Sequence, residues 1–173
     1  MSAPRIRAAT PADAAELLAI YRPCVERTTV SFETQAPTVE EFAGRIGKAL
    51  AGWAWLVAEV DGRCAGYAYA TSHRERAAYR WSVETSAYVH GDFHRRGLGR
   101  ALYEALFPAL AARGYCQAFA GIALPNEASL ALHRAAGFEP IGVFRRIGFK
   151  FGAWQDVAWF QRQLREGLPP ALD

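Results

Sequence analysis

The spacing of apolar residues changes period several times along the chain, and each change marks an element. Residues 5–8 alternate and predict a short opening strand. Thr10-Pro11-Ala12-Asp13 then reads as a helix start, with Thr10 as N-cap and Pro11 at the first helical position. Ala14, Leu17, Leu18 and Tyr21 fall on one face of that helix. Residues 28–34, with Val30 and Phe32, have strand character. A second helix opens at Pro37-Thr38-Val39-Glu40-Glu41, where Thr38 and Glu41 stand at capping-box spacing. An apolar run over 53–60 ends at Asp61-Gly62, a two-residue hairpin signal, and the return strand runs from Arg63 to about Thr71. Residues 73–80 are polar and irregular, and 81–89 return to strand character. Leu98, Ala101, Leu102, Ala105, Leu106 and Leu110 predict a helix over 97–112, which Arg113-Gly114 ends. A buried strand over 115–122 and a helix opened by Pro125-Asn126-Glu127 and closed by Gly137 follow. Two strands, 138–151 and 153–163, close the pattern. The tail Leu168-Pro169-Pro170 reads as frayed.

The resulting order is β-α-α-β-β-β-α-β-α-β-β, without a repeat, linker or low-complexity segment. It predicts a single α/β or α+β domain over 1–165 with a mixed, mostly antiparallel sheet, followed by a tail over 166–173. A chain of 173 residues that is 51% hydrophobic and 21% charged can bury its own core without disulfides or metals. Cys24, Cys64 and Cys116 are odd in number and lack CxxC spacing, so neither a disulfide framework nor a metal site is expected. The expected compartment is a reducing cytoplasm, since no secretory signal or membrane-spanning run is read. The net charge of +3 is spread along the chain and suits a small anionic ligand. No helix-turn-helix or aromatic–basic interleaving points to nucleic acid. All 20 cations except Lys48 and Lys150 are arginines, which fits nucleotide bias in the source genome or a need for bidentate anion recognition.

The most informative segment runs from Tyr88 to Tyr103, where a strand enters an arginine-rich glycine turn and passes straight into a helix. Gly97 and Gly99 lack a Cβ and permit close approach to the backbone. The first amides of the following helix lack intrahelical partners, and with the helix dipole they suit a pyrophosphate. Arg95, Arg96 and Arg100 add positive charge. An ordinary strand-to-helix turn with solvated arginines is the alternative. The segment is neither G-x-G-x-x-G nor G-x-x-x-x-G-K-(S or T). Glu84 is a second candidate, a lone carboxylate in the uncharged stretch 81–89. Burial there would raise its pKa toward the range of a general base, whereas a solvent-facing strand Glu would do nothing.

His94-Arg95-Arg96-Gly97-Leu98-Gly99 resembles the (Q or R)-x-x-G-x-(G or A) signature of the GNAT N-acetyltransferases, with His at the first position. Four further blocks resemble the phosphinothricin and methionine sulfoximine/sulfone acetyltransferase group: Val30–Thr34, Tyr79–Thr85, Leu124–Ser129 and Gly148–Val157. The resemblance implies that acetyl-CoA is the cosubstrate, held by the amides of 94–100, by the main chain at Ala87, Tyr88 and Val89, and by Asn126 and Ser129. Asn126 also reads as a helix N-cap. The resemblance makes Glu84 the base and His133 the proton donor to the departing thiolate, with Tyr103 a second candidate donor or a core residue. It implies an acceptor site at Phe32, Glu33, Arg74, Arg76 and Trp81, with Trp154 a further wall. The implied reaction is direct acetyl transfer to the α-amine of a small amino-acid analogue. Polyamines, aminoglycosides, protein N-termini and a non-catalytic acyl-CoA-binding role are the alternatives. A cysteine nucleophile lacks a supporting motif, and the three cysteines read as buried hydrophobes. A homodimer through the aromatic C-terminal strands around Trp154, Trp159 and Phe160 is expected, unless these residues are core.

Overall fold

The predicted element order is the order found in a computed structural model, which describes residues 3–170. The strands are β1 (Arg5–Ala8), β2 (Trp55–Val60), β3 (Arg63–Ser72), β4 (Ser82–Val89), β5 (Gln117–Ala123), β6 (Glu139–Lys150) and β7 (Ala153–Gln163). The helices are α1 (Ala14–Arg27), α2 (Val39–Gly52), α3 (Leu98–Ala112) and α4 (Glu127–Ala135). All strands join one sheet in the order β1-β2-β3-β4-β5-β7-β6. Among the described residues β4–β5 is the one parallel pair, and the other neighbours run antiparallel.

Local signals act where they were read. Thr38 Oγ1 accepts from the Glu41 amide at 3.2 Å, and Glu41 accepts from the Thr38 amide at 2.8 Å, closing a capping box on α2. Asp61 and Gly62 both take positive φ, 49° and 77°, as a tight turn between twisted strands requires. Pro11–Asp13 forms one 3-10 turn before α1 rather than its first α-turn. Asp13 caps that turn through the Thr10 amide at 2.7 Å and also takes a bidentate pair from Arg7 at 2.8 Å.

Two apolar cores lie on opposite faces of the sheet. On one, Leu102, Leu106 and Leu110 of α3 meet Val83, Ala118, Ala120 and Phe160. On the other, Leu17 and Val25 of α1 and Phe42 and Ile46 of α2 meet Trp55, Val57 and Tyr67. Here α1 and α2 pack against β2, β3 and β4. Beyond β4 the same face opens into a cleft.

Two expectations change. Residues 28–34 form no strand. Tertiary contacts override strand propensity here. The carbonyls of Thr28 and Ser31 turn instead to Lys150, whose Nζ donates to them at 2.8 and 2.6 Å and to Val25 of α1 at 2.7 Å. The tail is not frayed through Pro170, whose ring packs at Gly114 beside Trp81. The last three tail residues, 171–173, and residues 1–2 lie outside the described residues.

Candidate active site

The site begins where two strands part. β4 and β5 pair only at Ser82–Gln117, Val83–Ala118 and Glu84–Phe119. On its other edge β4 stays paired with β3 as far as Val89. The β5-facing main chain of Thr85, Ser86, Ala87, Tyr88 and Val89 is therefore released from the ladder. Such groups demand partners when covered.

The glycine turn closes the end of this gap. Gly97 is left-handed, with φ +75°, and serves as N-cap of α3. A Cβ there would meet open space, so its conformation rather than crowding calls for glycine. The first intrahelical bond runs from the Ala101 amide to the Gly97 carbonyl, which leaves the amides of Leu98, Gly99 and Arg100 pointing out of the helix start. Gly99 serves differently from its expected role. A Cβ on it would come 2.9 Å from Leu132, so its smallness lets α4 pack against α3. The Leu98 side chain is buried in the core. His94, at the departing position of the motif, bonds the Val89 carbonyl through Nε2 at 2.9 Å and ties the turn back to β4. Arg95 is exposed with φ 59°, and Arg96 lies over the Phe93 ring at 5.3 Å. Arg100 bonds Glu104 at 2.7 Å. Asn126 caps α4 by accepting from the Ser129 amide at 3.1 Å, so its Oδ1 is engaged within the chain.

A cleft of about 520 Å³ lies along the gap. Its floor is Glu84, Ser86 and Tyr88 of β4, Gly121 and Ala123 of β5, and Val157 and Trp159 of β7. Its walls are Val30, Ser31, Phe32, Arg74, Phe144 and Ile147. Phe32 rests on Gly148, where any side chain would overlap its ring. Phe144 precedes, and Ile147 ends, a bulge in which residues 145–147 stand opposite the single Asp156 of β7. Asp156 holds that bulge by accepting from the Arg146 amide at 2.7 Å. Bulges re-aim side chains beside binding sites.

Glu84 is not the lone buried carboxylate expected. Its side chain is 39% exposed and bonded to His73 Nδ1 at 3.0 Å. Arg74 lines the cleft, and also a neighbouring hollow of about 170 Å³ walled by His73, Phe119, Ile141 and Trp159. Four other residues expected at the acceptor site, Glu33, Arg76, Trp81 and Trp154, do not line this cleft. Glu33 turns away to Arg45, at 2.5 and 3.0 Å, and to the Tyr21 hydroxyl at 2.6 Å. Those donors hold its carboxyl below the usual range, the Arg45 bond most of all. Arg76 is exposed and does not line the cleft. Trp81 lies just before β4 and turns to Tyr115 and the tail. Trp154 is 52% exposed on the β6–β7 hairpin, beside Phe149.

Tyr103 and His133 are brought to each other, not to Glu84. Both are buried, and the Tyr103 hydroxyl lies 3.0 Å from His133 Nε2. His133 Nδ1 lies 2.8 Å from the Ser129 carbonyl. A carbonyl only accepts, so Nδ1 carries the hydrogen and Nε2 accepts from Tyr103. Burial lowers the imidazole's pKa and raises the phenol's. Thr85, whose hydroxyl touches Tyr103, also lines the cleft. Tyr88 packs edge-on to Tyr21 at 5.1 Å. The three cysteines are half-buried, not fully buried hydrophobes. Burial pushes Cys64 up to about 12 and also raises Cys24, the reverse of an activated thiol.

His73, Lys150 and the β6 bulge were not singled out from the sequence as site-forming. Only the polar stretch 73–80 and the block Gly148–Val157 hinted at them.

A sheet parted beside a left-handed glycine turn, with a carboxylate on the floor of the gap, is the framework of an acyl-CoA-dependent transferase. The chain belongs to the GNAT acetyltransferase family, whose domain matches residues 6–159. It is an N-acetyltransferase that uses acetyl-CoA. Its sequence is 40% identical to phosphinothricin N-acetyltransferase of Streptomyces viridochromogenes over 165 residues, covering 95% of this chain and 90% of that protein. It is 34% identical to the L-methionine sulfoximine/L-methionine sulfone acetyltransferase of Salmonella typhimurium, covering 95% and 97%. The crystal structure of a phosphinothricin acetyltransferase from Sinorhizobium meliloti in complex with acetyl-CoA superposes with a TM-score of 0.91 at 38% identity, covering 96% of this chain and 91% of that one.

Proposed function

We propose that the acceptor is the α-amine of a small amino-acid analogue of the phosphinothricin, methionine sulfoximine or methionine sulfone type. The observation that carries this reading is one cleft holding a single carboxylate, Glu84, and a single cation, Arg74, among apolar walls. Arg74 suits a carboxylate, phosphinate or sulfone oxygen. Phe32, Phe144, Ile147 and Trp159 suit an aliphatic side chain. A polyamine would call for more acidic walls.

Acetyl-CoA supplies the acetyl group as a thioester. The open amides of the Gly97 turn and the released edge of β4 fit its pyrophosphate and pantetheine arm. Asn126 and Ser129 flank the arm from the start of α4. Glu84 takes a proton from the acceptor ammonium, so that the neutral amine forms the C–N bond as the C–S bond breaks. Amides of Thr85–Val89 polarise the thioester oxygen. The nitrogen sheds its second proton as the amide forms, and the departing thiolate takes up a proton through water, because the Tyr103 hydroxyl already donates to His133 Nε2 and the imidazole hydrogen is held by the Ser129 carbonyl. The exposed Val143, Phe149, Phe151 and Trp154 of the β6–β7 hairpin form an apolar face suited to a homodimer. Three free cysteines suit a reducing cytoplasm.

The test is thiol release from acetyl-CoA with phosphinothricin, methionine sulfoximine, methionine sulfone, ordinary amino acids and polyamines. Turnover is expected with the first three. Turnover only with polyamines would overturn the acceptor assignment. Binding of acetyl-CoA without release with any amine would favour the non-catalytic alternative.

A further inference from the structure

We propose that His73 is a positioning residue for Glu84: it holds one carboxylate oxygen so that the other faces the acceptor. The proposal rests on Glu84 being the base.

Geometry fixes the imidazole independently of the carboxylate. His73 directly follows β3, and the register Thr71–Glu84 and Ser72–Val83 places it diagonally across from Glu84 on the same face. Its ring stacks on Phe119 at 4.4 Å and 16°, and meets the edges of Tyr79 at 5.9 Å and Trp159 at 6.3 Å. The side chain is 12% exposed, against 39% for Glu84. A ring held on three sides aims Nδ1 at Oε1, 3.0 Å away.

An ionised carboxylate only accepts, so Nδ1 carries the hydrogen. Glu84 can then take the acceptor's proton on Oε2: the ammonium N–H breaks, Oε2–H forms, and His73 keeps its own hydrogen throughout. The other groups facing the pair are few. Arg74 lines the same cleft, Tyr69 of β3 feels the Glu84 charge with the Arg45–Glu33 pair beyond it, and Tyr79 meets the ring edge. Phe119 of β5 and Trp159 of β7 present uncharged rings.

The experiment compares His73→Phe, His73→Gln and Glu84→Gln by steady-state kinetics from pH 5 to 9, using acetyl-CoA and the best acceptor of the panel. His73→Phe keeps the ring packing without the N–H. Its kcat is expected to fall about tenfold to a hundredfold, the loss of one hydrogen bond to a charged group. Its KM for acetyl-CoA should stay within about twofold, so that the loss falls on kcat alone. His73→Gln, which restores an N–H donor, should recover most of kcat. A His73→Phe enzyme with wild-type kcat overturns the proposal. An unchanged Glu84→Gln enzyme overturns the base reading itself. Should the Phe variant not fold, nitrogen-15 NMR of the wild-type imidazole decides. An Nδ1–H tautomer, perturbed in Glu84→Gln, supports the proposal, and an Nε2–H tautomer overturns it.

Discussion

Lys150 holds the loop that walls the cleft, and its replacement is the sharpest structural test. The ammonium is buried and donates to three main-chain carbonyls, those of Val25, Thr28 and Ser31. No carboxylate touches it in this cradle, and burial lowers its pKa. Lys150→Met keeps the length and removes every donor. Each hydrogen bond from a charged donor is worth about 1.5–3 kcal/mol, but desolvation of the ammonium offsets part of the sum. A net loss of about 3–5 kcal/mol is expected, which for a domain of this size lowers Tm by roughly 10–15 °C. The same loop presents Val30, Ser31 and Phe32 to the cleft, so KM for the acceptor should rise at least about fivefold, about 1 kcal/mol of lost binding. KM for acetyl-CoA should hold, because the Gly97 turn shares no contact with Lys150. Lys150→Arg should rescue little, since a planar fork does not match three carbonyls around one point. Thermal and urea unfolding with paired kinetics provide the readout. A Met variant with wild-type Tm and acceptor KM would refute the clamp.

Other consequences are equally direct. The Arg7 bond holds the Asp13 carboxyl at about 2 against an ordinary 3.8, worth about 2 kcal/mol. A depressed folded pKa stabilises the fold above the unfolded value and loses that support as pH falls toward 2. Asp13→Asn should therefore cost stability at pH 7 and nothing near pH 2, and a penalty independent of pH would disprove the linkage. Tyr103→Phe strands the buried Nε2 of His133 and should cost about 1–3 kcal/mol in chemical unfolding; an equally stable variant would show that Nε2 has another partner. Gly97→Ala forces a side chain into left-handed φ at about 1–2 kcal/mol. It should weaken acetyl-CoA binding in calorimetry while sparing acceptor KM, and unaltered binding would free the turn from its assigned role.

What could be read in the chain was local. Thr38 and Glu41 sit three residues apart, Asp61 and Gly62 are adjacent, and the Gly97 turn is contiguous with its helix, so each announces itself within a few positions. The loop at 28–34 misled because its backbone partner lies far along the chain, 119 residues from Ser31 to Lys150. Trp81 and Glu33 misled for a related reason. Their distance from Glu84 or Phe32 in sequence says nothing about which way a side chain turns, and Tyr115 and Arg45 decide that. His73 was hidden in a polar stretch. Only the β3–β4 register sets it beside Glu84.

The gap between β4 and β5 also divides the site by what a mutation can reach. One half presents backbone, which a point substitution alters only through conformation. The other half presents Phe32, Phe144, Ile147 and Trp159, each supplied by a different segment or turn of strand. A library confined to those four positions would vary which amine is accepted while leaving the grip on the acyl donor intact. The architecture is in that sense one fixed socket joined to one editable one.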